Sequence, residues 1–99
     1  MWYLIHGIDL PNSLAGRKLH RPAHLARLEA LRDLGRLKLA GPLPAIDAED
    51  PGPAGFTGSV IVAEFGSLAE AKAWAAEDPY LAGGVYARVD VSPFRLVLP

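Results

Sequence analysis

The segment "SVIVAEF", Ser59 to Phe65, is apolar on both alternations of a strand. Successive strand residues point to opposite faces, so a strand here has no side suited to water. It belongs in the middle of a sheet with cover above and below, and the chain has 99 residues with which to supply that cover. The rest of the sequence is constrained by this demand.

Strand-like and helix-like segments alternate around it. "WYLIHGID", Trp2 to Asp9, is rich in aromatic and β-branched residues and stops before Pro11, which predicts a strand. Asn12 or Ser13 then suits the cap of a short helical turn. Pro22 fits the first turn of a helix, and Leu25, Leu28, Leu31 and Leu34 follow at helical spacing until Gly35 offers a stop. "RLKLAGP", Arg36 to Pro42, alternates as a short half-buried strand ended by Gly41 and Pro42. Between Ala45 and Gly58 there is no apolar periodicity, and prolines 51 and 53 with glycines 52, 55 and 58, directly after Pro44, predict a mobile loop that borders a pocket.

After the central strand, "SLAE" (Ser67 to Glu70) has the form of a capping box, with each side chain satisfying the other residue's backbone N–H. A helix should run from there through Trp74 towards Glu77. "DPYLAGG" reads as a separate short helix capped by Asp78 with Pro79 in first position. "VYARVDV" and "FRLVL" read as one terminal strand bent at Pro93. The order is β-α-β-β-α-β in one domain over residues 1–99, an α+β, ferredoxin-like arrangement: an antiparallel four-stranded sheet with two helices on one face. The other face is left bare, and a second copy of the chain is the expected cover, giving a homodimer with further assembly open.

Composition removes several function classes. Ten basic and eleven acidic residues, with no block of like charge, provide no electrostatic footprint for nucleic acid or an anionic membrane. The absence of cysteine removes disulfides, thiolate nucleophiles and cysteine-based metal sites together. The opening "MWYLIHGIDL" has no secretory pattern and no segment reaches membrane-spanning length, so a cytoplasmic protein is expected.

The candidate chemistry is confined to a few side chains. His24 stands four residues before Leu28 and seven before Leu31, on or beside the apolar stripe, where a histidine by itself is packing material. Asp78 supplies an orienting partner, and the two tasks are compatible, because one carboxylate oxygen can cap the helix while the other meets the imidazole. His20 and His24 have the i, i+4 spacing of zinc ligands, but a helix beginning at Pro22 leaves His20 outside it and no third ligand stands nearby, so no metal site is expected. His6 carries no signal of its own. Arg17, Lys18, Arg21 and Arg27 make the approach to the first helix basic: a solvated face, or, through Arg21 and the first-turn N–H groups, an attraction for an anion. The glycines of "GPAGFTGS" match no nucleotide fingerprint, and Tyr3, Trp74 and Tyr80 are core residues by type.

Three segments, "RPAHLARLEALRDLGRLKLAGPLPA", "DPGPAGFTGSVIVAEFGSLAEAKAWAAEDPY" and "GVYARVDVSPFRLV", carry a resemblance over nearly the whole length. The chain resembles the YciI-like family (YCII-related domain) within the dimeric α+β barrel group of ferredoxin-like proteins. That resemblance implies a site centred on a histidine and an aspartate, which correspond here to His24 in "RPAHL" and Asp78 in "DPY". Arg21, Gly41, Pro42, Ser59 and Tyr80 are the expected substrate-binding residues around them. A dehydrochlorinase of chlorinated hydroxyquinols belongs to a similar group, and muconolactone isomerases share the wider fold; both move protons on small ring compounds. The implied activity is acid–base chemistry of lyase, isomerase or dehydrochlorinase type, without a cofactor, on a small cyclic or anionic substrate. The competing reading is a dimer that binds or senses a small molecule in the same pocket without turnover.

Overall fold

A computed structural model describes residues 1–99. Four strands, β1 (Trp2–Asp9), β2 (Leu37–Pro44), β3 (Phe56–Glu64) and β4 (Tyr86–Phe94), form one sheet in the order β2-β3-β1-β4. Every neighbouring pair is antiparallel. Three helices, α1 (Leu14–Asp33), α2 (Leu68–Ala76) and the short α3 (Pro79–Ala82), complete the β-α-β-β-α-β order with α3 as an appendix to α2. This is the expected α+β, ferredoxin-like arrangement, with "SVIVAEF" inside the sheet between β2 and β1.

The pleat sorts the side chains. Tyr3, Ile5 and Gly7 of β1 lie opposite Ala63, Ile61 and Ser59 of β3. With Leu28, Leu31, Ala71 and Ala75 from the helices, the apolar members of this face form the core. The alternate residues turn to the face without helices, where Leu4 pairs with Val62, His6 with Val60, and Leu39 with Val62 from the other side. Leu39 is half exposed there.

Several boundaries differ from expectation, each for a physical reason. Helix α1 begins at Leu14, eight residues before Pro22, and keeps Pro22 inside it. Proline deprives the Lys18 carbonyl of its usual donor, but Pro22 is on the solvent side and the first turn is anchored by Asp9, which accepts hydrogen bonds from Ser13 Oγ at 2.6 Å and Arg17 Nε at 2.7 Å. The Ser13 hydroxyl is therefore spent on Asp9 and caps no backbone N–H. Strand β2 runs past Gly41 and Pro42 to Pro44, which an edge strand with one neighbour tolerates. β3 starts at Phe56, so the loop is shorter than expected and contains a 3-10 turn at Gly52–Ala54. β4 passes through Pro93, again on an edge, and ends at Phe94, so "FRLVL" is no strand. The capping box holds with one change: Ser67 Oγ accepts from the Glu70 N–H at 3.1 Å, while the Glu70 carboxylate reaches the N–H of Gly66, not Ser67, at 2.9 Å.

Gly7 has a steric duty. A Cβ at this position would run into the phenol ring of Tyr86, which lies over the strand and is buried. Gly7→Ala should displace that ring and destabilise the protein by about 1–3 kcal/mol, the usual cost of overpacking. Urea denaturation measures it, and a midpoint equal to that of the parent would refute this account.

Candidate active site

Helix α1 presents one inward stripe of two characters. Arg17, His24, Leu28 and Leu31 are its buried residues, at spacings that keep them on one side of the helix. Leu28 and Leu31 enter the core, while Arg17 and His24 sit nearer the N-terminus and line cavities.

His24 and Asp78 meet there across 54 positions of sequence. His24 Nδ1 is 2.9 Å from Asp78 Oδ1 and 3.0 Å from Oδ2. Asp78 Oδ1 also accepts from the Tyr80 N–H at 2.9 Å, so a single oxygen both caps α3 and holds the imidazole. The Tyr80 ring stacks on the imidazole at 3.9 Å between centroids and 9° between planes. Tyr86 closes the cluster edge-on to Tyr80, its centroid 5.4 Å away. A carboxylate only accepts hydrogen bonds, so it requires the proton on Nδ1 and leaves Nε2 of a neutral ring as the acceptor. Nε2 makes no hydrogen bond to protein, is not among the sealed polar atoms, and His24 lines the cavity.

A second buried pair was not legible in the sequence. Arg17, expected on a solvated face, is 6% exposed. Its Nε and Nη2 form a fork on Asp9 at 2.7 and 2.8 Å. Nη2 also donates to the Gly58 carbonyl and to Ser59 Oγ, both at 2.9 Å. Burial disfavours its charge, but the hydrogen bond and the negative charge of Asp9 outweigh that and raise its pKa, so it stays a cation. No apolar periodicity announces this contact, since Asp9 ends a strand and Arg17 stands eight residues on in a helix. Arg27, also assigned to the solvated face, lies 4.3 Å over the Trp74 ring and donates to the Trp74 carbonyl at 2.6 Å.

The cavity floor collects the residues singled out above. His24, Arg21, Gly41, Pro42, Ser59 and Tyr80 all line a recess of about 170 Å³, with Asp78 behind the imidazole. Arg17, Arg21, Pro42 and Tyr80 also border a wider cleft of about 570 Å³, whose far wall is Asp50, Pro51, Gly52 and Pro53 of the β2–β3 loop. The expectation that this loop borders a pocket is met. Gly41 pairs with Val60, whose side chain points to the other face, so Gly41 contributes backbone. His20 lies on α1 after all, at i, i+4 from His24. Its ring packs where a Gly83 side chain would stand, joining α1 to the end of α3. No three His, Asp or Glu side chains converge as a metal-binding group. His6 faces the opposite side of the sheet, beside Val60 and Asp90.

The phenols are shifted by the same burial. Desolvation raises the pKa of Tyr80 and overcomes the nearby charges of Arg17 and Arg21, which act the other way. For Tyr86 desolvation raises it strongly, with Ser59 opposing. Ser59 is near enough to favour the ionised phenol, yet the Tyr86 hydroxyl is sealed from solvent with no partner of hydrogen-bond geometry.

The fold and this cluster define a class: small ferredoxin-like α+β proteins in which a carboxylate-oriented histidine faces a cleft between sheet and first helix. No helix is long and apolar enough to cross a membrane. The chain matches the model of the YCII-related domain over residues 1–95 and belongs to that family. It is 58% identical over 97 residues to protein YciI of Escherichia coli O6:H1, covering 98% of this chain and 99% of that one. An uncharacterized protein of Haemophilus influenzae is 54% identical over the same length, with the same coverage. Among solved structures, 5-chloro-2-hydroxyhydroquinone dehydrochlorinase (TftG) from Burkholderia phenoliruptrix AC1100, in complex with 2,5-dihydroxybenzoquinone, superposes with a TM-score of 0.82. It is 32% identical, with 96% of this chain and 94% of that chain covered.

The two raised phenol pKa values fix a pH response. The unfolded chain loses these protons near pH 10 while the folded chain keeps them, so their contribution to stability is complete below about pH 10 and declines as pH rises beyond it. Thermal melts should fall above pH 10, and Tyr86→Phe should flatten that fall while leaving stability at pH 7 unchanged or raised, since it removes an unpartnered hydroxyl. A Tyr86→Phe protein with the parent's alkaline profile would show that this phenol is not the source.

Proposed function

We propose that this chain is a small enzyme, working without a cofactor, that moves a proton on a small cyclic, anionic substrate, with His24 as the acid–base group and Asp78 as its orienting partner. The observation that carries this reading is the imidazole held through Nδ1 by both Asp78 oxygens while Nε2 is left to the cavity. An imidazole changes protonation in the neutral range, so one group can take a proton in one step and return it in the next. Arg21, Gly41, Pro42, Ser59 and Tyr80 form the substrate recess. The similar structure named as a dehydrochlorinase holds a dihydroxybenzoquinone, which supports a hydroxylated ring as the kind of substrate. Removal of HCl from such a ring, or relocation of a double bond within it, requires the proton transfer that His24 is set up to perform. The protein is assigned to the cytoplasm on the same reading. Binding without turnover is the competing function and is separated by the exchange experiment below.

The apolar face of the sheet around Leu4, Val60 and Leu39 supports a homodimer in which a second copy supplies the missing layer. Light scattering should give twice the 10.6 kDa chain mass at micromolar concentration, and Leu39→Glu should shift the protein towards a monomer. A parent protein of single-chain mass would refute the dimer.

Proton transfer can be read directly as exchange of ring C–H protons for deuterium in hydroxylated quinones, followed by NMR in D2O. The parent protein should exceed His24→Gln by at least about 100-fold, the low end of general acid–base contributions. Asp78→Asn should keep the α3 cap and the melting temperature yet lose most of the exchange, because an amide no longer demands Nδ1–H. Asp78→Ala should additionally cost about 1 kcal/mol from the lost cap. Equal exchange by the parent and His24→Gln would leave a binding protein.

A further inference from the structure

Arg17 uses only part of its guanidinium to hold the fold. Of its five N–H groups, Nε–H and those on Nη2 are spent on Asp9, Gly58 and Ser59. Nη1 donates to nothing in the protein. The sealed, unpartnered side-chain atoms are Arg27 Nη1 and Tyr86 Oη, so Arg17 Nη1 is reachable, and Arg17 borders both the recess and the cleft. Its side chain is 8% exposed and lies between the Phe56 and Tyr80 rings, at 5.1 and 5.2 Å from their centroids. Such surroundings exclude water and strengthen whatever hydrogen bond Nη1 makes.

Ser59 is set by the same contact. Its Oγ accepts from Arg17 Nη2, so its own proton must be given elsewhere; the Tyr86 hydroxyl stands nearby but outside hydrogen-bond geometry, so no protein acceptor is engaged. Ser59 also lines the recess beside His24. Two donors without engaged protein acceptors, one charged and one neutral, therefore stand on residues that line the same recess as His24. Arg21 and Lys18 stand at the mouth without ion pairs, and the single acid on the lining, Asp50, has Oδ1 engaged by the Gly52 N–H at 3.0 Å.

We infer that Arg17 Nη1 and the Ser59 hydroxyl together bind an ionised oxygen of the substrate beside His24, which makes the substrate class a small ring bearing an enolate, phenolate or carboxylate oxygen. The inference rests on the proposed function for the presence of a substrate at His24 and adds the residue that selects its charge. Asp9 neutralises the guanidinium overall, so selection comes from directional donors and not from a bare cation. Arg17 also prepares Ser59 as a donor, a task a lysine at this position performs poorly because it lacks the planar fork.

The test compares binding of 2,5-dihydroxybenzoquinone, ionised at neutral pH, with that of hydroquinone, a neutral ring of similar size, by calorimetry. The parent should prefer the ionised ring. Arg17→Ala would strand the Asp9 carboxylate in the interior, so the variant of choice is the double substitution Asp9→Asn with Arg17→Met, which removes both charges together. Its preference should fall about 10- to 100-fold, as expected for one or two charge-assisted hydrogen bonds, while a general loss of packing would weaken both ligands alike. A folded double variant with the parent's preference overturns the inference, as does a parent protein with no preference. If the double variant does not fold, Ser59→Ala decides by the same ratio: a fall of about tenfold supports the cradle and an unchanged ratio overturns it. His24→Gln separates the two readings: loss of exchange with the preference intact belongs to proton transfer and leaves the Arg17 and Ser59 site standing, whereas loss of the preference in this variant assigns it to the imidazole and overturns the inference.

Discussion

The buried ion pair between Asp9 and Arg17 is the contact on which the remaining geometry depends. It ties the last residue of β1 to the first turn of α1, and the same guanidinium reaches the Gly58 carbonyl and Ser59 Oγ on β3. Three elements are thereby indexed to one another at one point. A buried pair gives back little of its desolvation cost, so its value lies less in stability than in specifying which rotation of α1 is allowed. That rotation decides everything further along the helix: with Arg17 facing β3, His24 faces the cleft and Leu28 and Leu31 face the core.

Asp78 and Tyr80 each have a structural task as well as a place in the site. Asp78 caps α3 with the oxygen that also holds the imidazole, and Tyr80 covers that ring with its own while its N–H completes the cap. Tyr86 closes the cluster, and it fits because Gly7 has no side chain beneath it. The groups stand on helices and strands, with only the far wall of the wider cleft supplied by the loop after β2. Such support holds a site in one geometry before any ligand arrives, at the expense of an unpartnered phenol hydroxyl in the interior.

Where local reading of the sequence succeeded, a local cause was at work. Ser67 and Asp78 cap their helices as the residue types predict, and the apolar run of β3 lies inside the sheet. Where it failed, a contact from elsewhere had overridden a local preference. Pro22 marks a helix start by its chemistry, yet the helix starts eight residues earlier because Asp9 anchors the first turn. Pro42 and Pro93 mark strand ends, yet both are carried within edge strands, where one row of backbone groups has no strand to serve. Arg17 has the look of a surface residue and is buried.

What the sequence determined by itself is the order of elements, the two-sided character of the central strand and the identity of the histidine and aspartate that resemble a family's site. Those are properties of periodicity, capping chemistry and motif, each contained within a short stretch of chain. Only the tertiary structure decided that His24 and Asp78 touch, that a single Asp78 oxygen serves both cap and imidazole, and that Arg17, held by Asp9, and Ser59 line the recess beside them. Contacts across 54 and 42 positions arise from packing helices against a sheet, and a hydrogen bond made by that packing leaves no periodic trace in the residues that make it.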